Sequence, residues 1–384
     1  MNDWVEEELS ELQKAGLYRS LREVDTPQAA VINLDGKEVI NFCSNNYLGL
    51  ASDHRLGNAV RAASFKWRSG AGSSRLVSGN LSVFQKLEKD LSRFMNAPAA
   101  LYFNSGYHAN TGIIPALAGK EDAVFSDRLN HASIIDGCRL SRAKVHIYEH
   151  ADPAALDHAL KKTSARRKLI ITETLFSMDG DLAPLPQIIE TARAHGAMVM
   201  LDEAHAFGLL GKNGRGALEG FGLSADSVDV VVGTLGKAAG SAGAFACARP
   251  AMIELFINRV RPFIFTTGPP PAAAVAAQEG LRIMKDEPWR RERALSLAER
   301  LRDALDGMGF DTSDCRGAIV PVVLGREERT MEACRLLLEK GIFVQGIRPP
   351  TVPAGSSRLR VSLTASHTDD HLEKLISSLK EVLK

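Results

Sequence analysis

Short, uniformly apolar runs punctuate the middle of this chain and alternate with stretches of helical periodicity. Ala100–Asn104, Ala123–Ser126, Val145–Tyr148, Leu169–Thr174, Met198–Asp202, Val228–Gly233 and Ala244–Ala248 are the strand candidates. Runs such as Val228–Val232 lack polar alternation, the pattern of strands covered by helices on both faces. Intervening segments such as Leu185–His195 have the spacing of those helices. The alternation predicts an α/β fold with a mostly parallel central sheet. Ahead of it, Val5, Leu9 and Leu12 recur at helical spacing among charges, which predicts an amphipathic lead-in helix over 4–22.

Past Thr267 the texture changes. Gly268-Pro269-Pro270-Pro271 marks a joint, and a long helical stretch over 272–307 follows. Strand candidates Ile319–Leu324, Ile342–Val344 and Arg358–Leu363 then alternate with helices near 327–340 and 369–383, which predicts a smaller α+β C-terminal domain. The expected division is an N-terminal arm (1–40), a large α/β domain (41–267) and the smaller domain (268–384).

Composition narrows the function. Lys plus Arg is 47 against 46 for Asp plus Glu, and aromatics are 6%. So balanced a charge gives no field for nucleic acid or an anionic membrane. Cys43, Cys138, Cys247, Cys315 and Cys334 are scattered, with no Cys-x-x-Cys pair, the pattern of reduced thiols in the cytoplasm. Glu6, Glu7 and Glu8 stand where a signal peptide would be basic, and no apolar run nears the ~20 residues that span a bilayer.

The candidate chemistry sits at strand ends, where open parallel sheets bind ligands. Asp202 ends one strand, and His205 follows three residues on. An acid there suits a protonated ring nitrogen, whose charge a cofactor acting as electron sink needs held in place. The alternative is an Asp capping a turn beside a solvated histidine. Strand Val228–Val232 runs into Gly233-Thr234-Leu235-Gly236-Lys237-Ala238-Ala239-Gly240. A lysine in a small-residue loop can be desolvated and freed for Schiff-base chemistry. Flanking glycines would let a flat cofactor approach the backbone, and Thr234 offers a hydroxyl to a phosphate. Asn104-Ser105-Gly106-Tyr107 opens a helix over 107–117, whose free N–H groups attract an anion; an ordinary cap by Ser105 is the alternative.

Rival motifs fail. Position 231 is Val, so Gly236-Lys237 does not close a Gly-x-x-x-x-Gly-Lys-Ser/Thr loop; Gly70-Ala71-Gly72 lacks the third glycine of a dinucleotide fingerprint; no Gly-x-Ser-x-Gly elbow occurs. His367 and His371 have chelating spacing but flank Asp369-Asp370 at a helix start, so they read as solvated residues and no metal site is expected.

Taken together, the sequence closely resembles the α-oxoamine synthases, acyl-CoA-dependent pyridoxal-phosphate enzymes of the aspartate-aminotransferase fold (fold type I). The resemblance runs from Asn41-Phe42-Cys43-Ser44-Asn45-Asn46-Tyr47-Leu48-Gly49-Leu50 through Gly72–Gly79, Phe176–Asp181, Asp202–His205 and Gly233–Lys237 to Arg358-Leu359-Arg360. It implies Lys237 as the Schiff-base lysine, Asp202 as partner of the pyridine nitrogen, and His131 stacked on the ring and touching substrate. It implies cofactor contacts by Ser177 and His205, phosphate contacts by Gly106, Tyr107 and Thr234, and a homodimer whose Thr266 and Thr267 hold the partner's phosphate. Arg360 would clamp the amino-acid carboxylate, as a bidentate guanidinium can; a surface ion pair is its alternative. Asn45, Arg19 and Thr351 match substrate-binding positions, with Arg22 a rival to Arg19. Phe207, where many relatives have a smaller residue, bears on the acyl pocket.

Ile347-Arg348-Pro349-Pro350-Thr351-Val352-Pro353 resembles the branch that condenses L-alanine with pimeloyl-CoA, or its acyl-carrier-protein (ACP) thioester, in biotin biosynthesis. The runner-up is a glycine-using 2-amino-3-ketobutyrate ligase. A catalytically silent paralogue acting as a binding or regulatory subunit is the reading from another class, and the presence of Lys237, Asp202, His131 and His205 argues against it.

Overall fold

The computed structural model describes residues 3–15 and 17–383. Thirteen strands follow in order: β1 (Val31–Leu34), β2 (Lys37–Asn41), β3 (Ala99–Phe103), β4 (Ala123–Asp127), β5 (Lys144–Tyr148), β6 (Lys168–Glu173), β7 (Met198–Asp202), β8 (Val230–Thr234), β9 (Ala244–Ala248), β10 (Ile319–Gly325), β11 (Ile342–Phe343), β12 (Gln345–Ile347) and β13 (Ser357–Ser362). Seven of them form the central sheet in the order β3-β9-β8-β7-β6-β4-β5, and only β9 runs against its neighbours. The mostly parallel sheet expected from the apolar runs is the one observed, because helices cover both faces. Leu101, Val124, Ile171, Met200 and Val232 face the helices 106–117, 132–141 and 250–259. Phe125, Ile170, Leu201 and Val231 face the opposite way, into the layer that includes helices 82–95, 185–194 and 271–286. No helix among the described residues is long and apolar enough to cross a membrane.

The C-terminal domain packs helices 289–306, 327–339 and 369–382 around the antiparallel sheet β10-β13-β12. A third sheet, β1-β2-β11, joins the two ends of the chain, with Ile342 and Phe343 paired in parallel to Ile40 and Asn41. Two expected helices differ. The lead-in helix ends at Lys14 instead of running to 22, since Val24 bridges Leu34 and draws the chain into extended backbone. The stretch 272–307 is two helices, 271–286 and 289–306, because Pro288 disfavours helical backbone at Glu287.

Candidate active site

All five loops that carry candidate chemistry leave the same, C-terminal edge of the sheet. That after β3 leads to Gly106, that after β4 to His131, that after β6 to Ser177, that after β7 to His205, and that after β8 to Lys237. Lys237 Nζ lies 2.7 Å from His205 Nε2, and His205 Nδ1 lies 2.7 Å from the Tyr47 hydroxyl. Tyr47 donates to Asn45 Oδ1 at 3.2 Å, and the same oxygen accepts Arg360 Nη2 at 3.1 Å. Arg360 is buried, with Nε donating to the Ser177 carbonyl at 2.5 Å and Nη1 to Ser362 Oγ at 2.9 Å. Among the described residues its fork meets neutral oxygens only, which removes the surface-ion-pair alternative.

The Asp202 carboxylate accepts Asn110 Nδ2 at 2.7 Å and the Ala204 N–H at 2.9 Å. Ser133 accepts the same amide nitrogen at 2.9 Å and lies 2.8 Å from His131 Nδ1. His131 caps helix 132–141, its Nδ1 accepting the Ser133 N–H at 3.2 Å. A neutral ring therefore carries its hydrogen on Nε2, where it can donate outward.

The electrostatics suit covalent amine chemistry. Burial lowers the Lys237 ammonium to about 8, against the pull of Asp202, so a useful fraction is free amine near neutrality. Burial, with the charges of Lys237 and Arg360 beside it, holds His205 well below its ordinary range. Burial also lowers His131. Tyr47 is pushed up to about 12 by burial and stays a hydroxyl.

At the β3 end, Ser105 caps helix 106–117 by accepting the His108 N–H at 3.1 Å, so the capping alternative holds. The first N–H groups of the helix remain beyond its reach. A Cβ built on Gly106 would meet nothing within 4 Å, so an anion can approach that helix start closely. Tyr107 is half-exposed with its hydroxyl bonded to Asp136. Thr234 Oγ1 donates to the Gly243 carbonyl at 3.1 Å and accepts the Gly236 N–H at 3.2 Å. Thr267 bridges Ser74, and its carbonyl accepts Asn104 Nδ2 at 3.1 Å; Thr266 precedes it. Arg19 and Thr351 line one cleft of about 650 Å³ together with Arg22, Gln345 and Arg348. Arg22, the rival to Arg19, is engaged by Asp35 at 2.7 Å.

Three expectations need correction. His367 is buried rather than solvated, its Nε2 3.1 Å from the Asn41 carbonyl and its Nδ1 accepting the Thr364 N–H, while His371 closes a capping box with Thr368. Of the glycines around Lys237, Gly233 and Gly240 are required by packing. Gly240 has φ +66° with its virtual Cβ 2.5 Å from Leu50, and Gly233 yields to the Phe245 ring at 2.4 Å; Gly236 makes only ordinary contacts, with Thr234 Oγ1 at 3.6 Å and the Ser241 carbonyl at 3.8 Å. Phe207 is buried in the core between Phe94 and Phe245, with ring centroids 5.6 and 4.9 Å away, and does not line the cleft that holds Arg19 and Thr351.

Tyr47, Asn110, Glu173 and His150 were not singled out from the sequence. His150, behind Phe176, bridges Asp127 at 3.0 Å and Asp181 at 2.8 Å and thereby pins the turn that carries Ser177. Glu173 had one signal, an acid ending an apolar strand; the others lie in polar surroundings with none.

A desolvated amine, a donor-supported carboxylate one strand away and an open helix start beyond them fit an aldehyde, a ring nitrogen and a phosphate. On this sheet they define a fold type I pyridoxal-phosphate-dependent transferase. The chain belongs to the aminotransferase class I and II family, whose model matches residues 37–379, and its cofactor is pyridoxal 5′-phosphate. It is 46% identical over 384 residues to an 8-amino-7-oxononanoate synthase of Symbiobacterium thermophilum, covering 100% of this chain and 98% of that protein. Among solved structures, a serine palmitoyltransferase from S. paucimobilis with PLP and myriocin bound superposes with a TM-score of 0.93 at 34% identity, over 99% of this chain and 96% of that one. The 8-amino-7-oxononanoate synthase of Francisella tularensis gives 0.78 at 30% identity, over 90% and 98%.

Proposed function

We propose that this protein condenses L-alanine with pimeloyl-CoA or pimeloyl-ACP to 8-amino-7-oxononanoate, releasing carbon dioxide and the free thiol, as a step of biotin biosynthesis in the cytoplasm. The observation that carries the reading is the buried Arg360, paired with Asn45 and facing Lys237 through Tyr47 and His205, a place for an amino-acid carboxylate beside a reactive amine. Relatives of that name at near-half identity over essentially the full chain supply the substrates.

Bound pyridoxal phosphate supplies an electron sink for negative charge generated at the amino-acid α-carbon. The chain does the rest. Arg360 and Asn45 orient the carboxylate, and the Lys237 amine takes the α-proton. Asp202 would hold the positive charge of the cofactor's ring nitrogen. His131, hydrogen on Nε2, donates to the thioester carbonyl as the α-carbon bonds to it and the thiolate leaves. The carboxylate then departs as carbon dioxide, and a proton returns to the α-carbon. Gly106, Tyr107 and Thr234 would hold the phosphate, and Ser177 and His205 would contact the cofactor. Arg19 and Thr351 receive the acyl chain. The working unit is a homodimer in which Thr266 and Thr267 reach the partner's phosphate; exposed Leu76, Val77 and Phe265 around that segment support it.

The TM-score of 0.93 to serine palmitoyltransferase favours one second reading, serine with a longer acyl chain. Mass spectrometry of products from alanine, glycine or serine, each with pimeloyl-, acetyl- or palmitoyl-CoA, decides between them. The expected product is the alanine–pimeloyl amino ketone, abolished together with the visible cofactor absorbance in Lys237→Ala. Normal turnover by that variant would end the assignment.

A further inference from the structure

Glu173 ends β6 as Asp202 ends β7, and the two are register partners across this parallel pair. Residues in register on neighbouring strands project to the same side, and Ile171 and Met200, two positions earlier on each, pack in one hydrophobic layer. The two side chains therefore leave the sheet together, about 5 Å apart, the spacing of the strands. Both are buried, at 2% and 6% exposure. Their surroundings differ. Asp202 has the Asn110 amide and the Ala204 N–H as donors. Glu173 Oε1 is buried and has no hydrogen-bond partner among the described residues. Two carboxyl groups this close, away from water, do not both ionise, and the donors decide which one does.

We propose that Glu173 is a positioning residue of this active site: it stands beside Asp202 as the neutral acid, so that one negative charge, not two, faces the ring nitrogen. The proposal rests on the reading of Asp202 given above. Other groups around Glu173 are consistent with it. Burial and the charge of Asp202 push its carboxyl up to about 8, while Lys237 and the His131 N–H favour the ionised form without prevailing. Asp127, at the end of β4, adds repulsion, although His150 pairs with it; Tyr47 is a neutral hydroxyl. The Glu173 carboxyl, which accepts the His131 N–H, also ties His131 to the strand end that carries Asp202's register partner.

The test uses Glu173→Gln, which keeps the shape and a donor, and Glu173→Ala, which keeps neither. In the cofactor-free protein at pH 6.5, infrared spectroscopy should show the C=O stretch of a protonated carboxylic acid that is missing in Glu173→Gln. A carboxyl whose folded value is raised holds its proton while the unfolded chain has released it. Native stability from this group thus falls as pH climbs from about 4.5 to about 8. The Tm of Glu173→Gln relative to the native protein should accordingly rise over that window. For cofactor, Glu173→Ala should bind about tenfold more weakly, the effect of one lost buried hydrogen bond, and Glu173→Gln should recover most of that loss at pH 7. No infrared difference, together with a Tm offset that is flat with pH, would overturn the proposal, as would a glutamine variant that binds cofactor no better than alanine. The infrared and Tm measurements need no substrate, so a failure of the alanine–pimeloyl assignment leaves them interpretable.

Discussion

Replacing His150 by glutamine removes a cation that two carboxylates share. The imidazole is 18% exposed, with Asp127 and Asp181 at 3.0 and 2.8 Å, and these acids outweigh burial to raise it to about 10 from its ordinary 6.5. At about 1.4 kcal/mol per factor of ten, that difference is worth at most ~5 kcal/mol, and residual exposure and screening bring it to about 3–4 kcal/mol. The folded value is raised, so the stabilisation is fully present below pH 6.5 and is lost as pH rises towards 10. Urea unfolding of the native protein and His150→Gln should therefore differ by about 3–4 kcal/mol at pH 6 and by only about 1 kcal/mol at pH 9. A gap that stays constant with pH, or no gap at pH 6, would refute the charged bridge. Because Asp181 belongs to the turn that carries Ser177, cofactor affinity should weaken with it.

Arg360→Lys should raise the KM for the amino acid by about 10–100-fold with little change in kcat, since a charge remains but the fork that meets Ser177, Ser362 and Asn45 is lost; steady-state kinetics check the split. Gly240→Ala should destabilise by about 1–3 kcal/mol in thermal unfolding, given its left-handed backbone and the Leu50 contact. Gly106→Ala, with open space around it, should leave Tm unchanged and weaken cofactor binding in a spectroscopic titration.

The central sheet was legible because its strands, the edge strand β5 excepted, are buried on both faces and therefore largely apolar, a property of the strand itself. The β1–β2 hairpin was missed for the opposite reason. Its third strand is β11, some 300 residues away, and Lys37 and Glu38 give it no apolar run. Likewise Lys237, Asp202 and His205 could be singled out because each follows a recognisable strand end. Glu173 shares that signal, yet its meaning lies in the neighbour across the sheet, which linear order conceals. His367 sits in a polar stretch, and only the fold brings the Asn41 carbonyl to its ring. The break at Pro288 was visible in the sequence, and the helical periodicity on both sides of it masked the stop.

The pairing of β2 with β11 orders the synthesis of the molecule. A nascent chain emerging from the ribosome displays the β1–β2 hairpin almost at once, but the strand that completes its sheet arrives only at Ile342 and Phe343. Asn45 and Tyr47 then wait for Arg360, which comes later still. The sheet holding Lys237 is complete by Ala248. A translation product cut short after that point would present the reactive amine without the means to seat an amino acid against it.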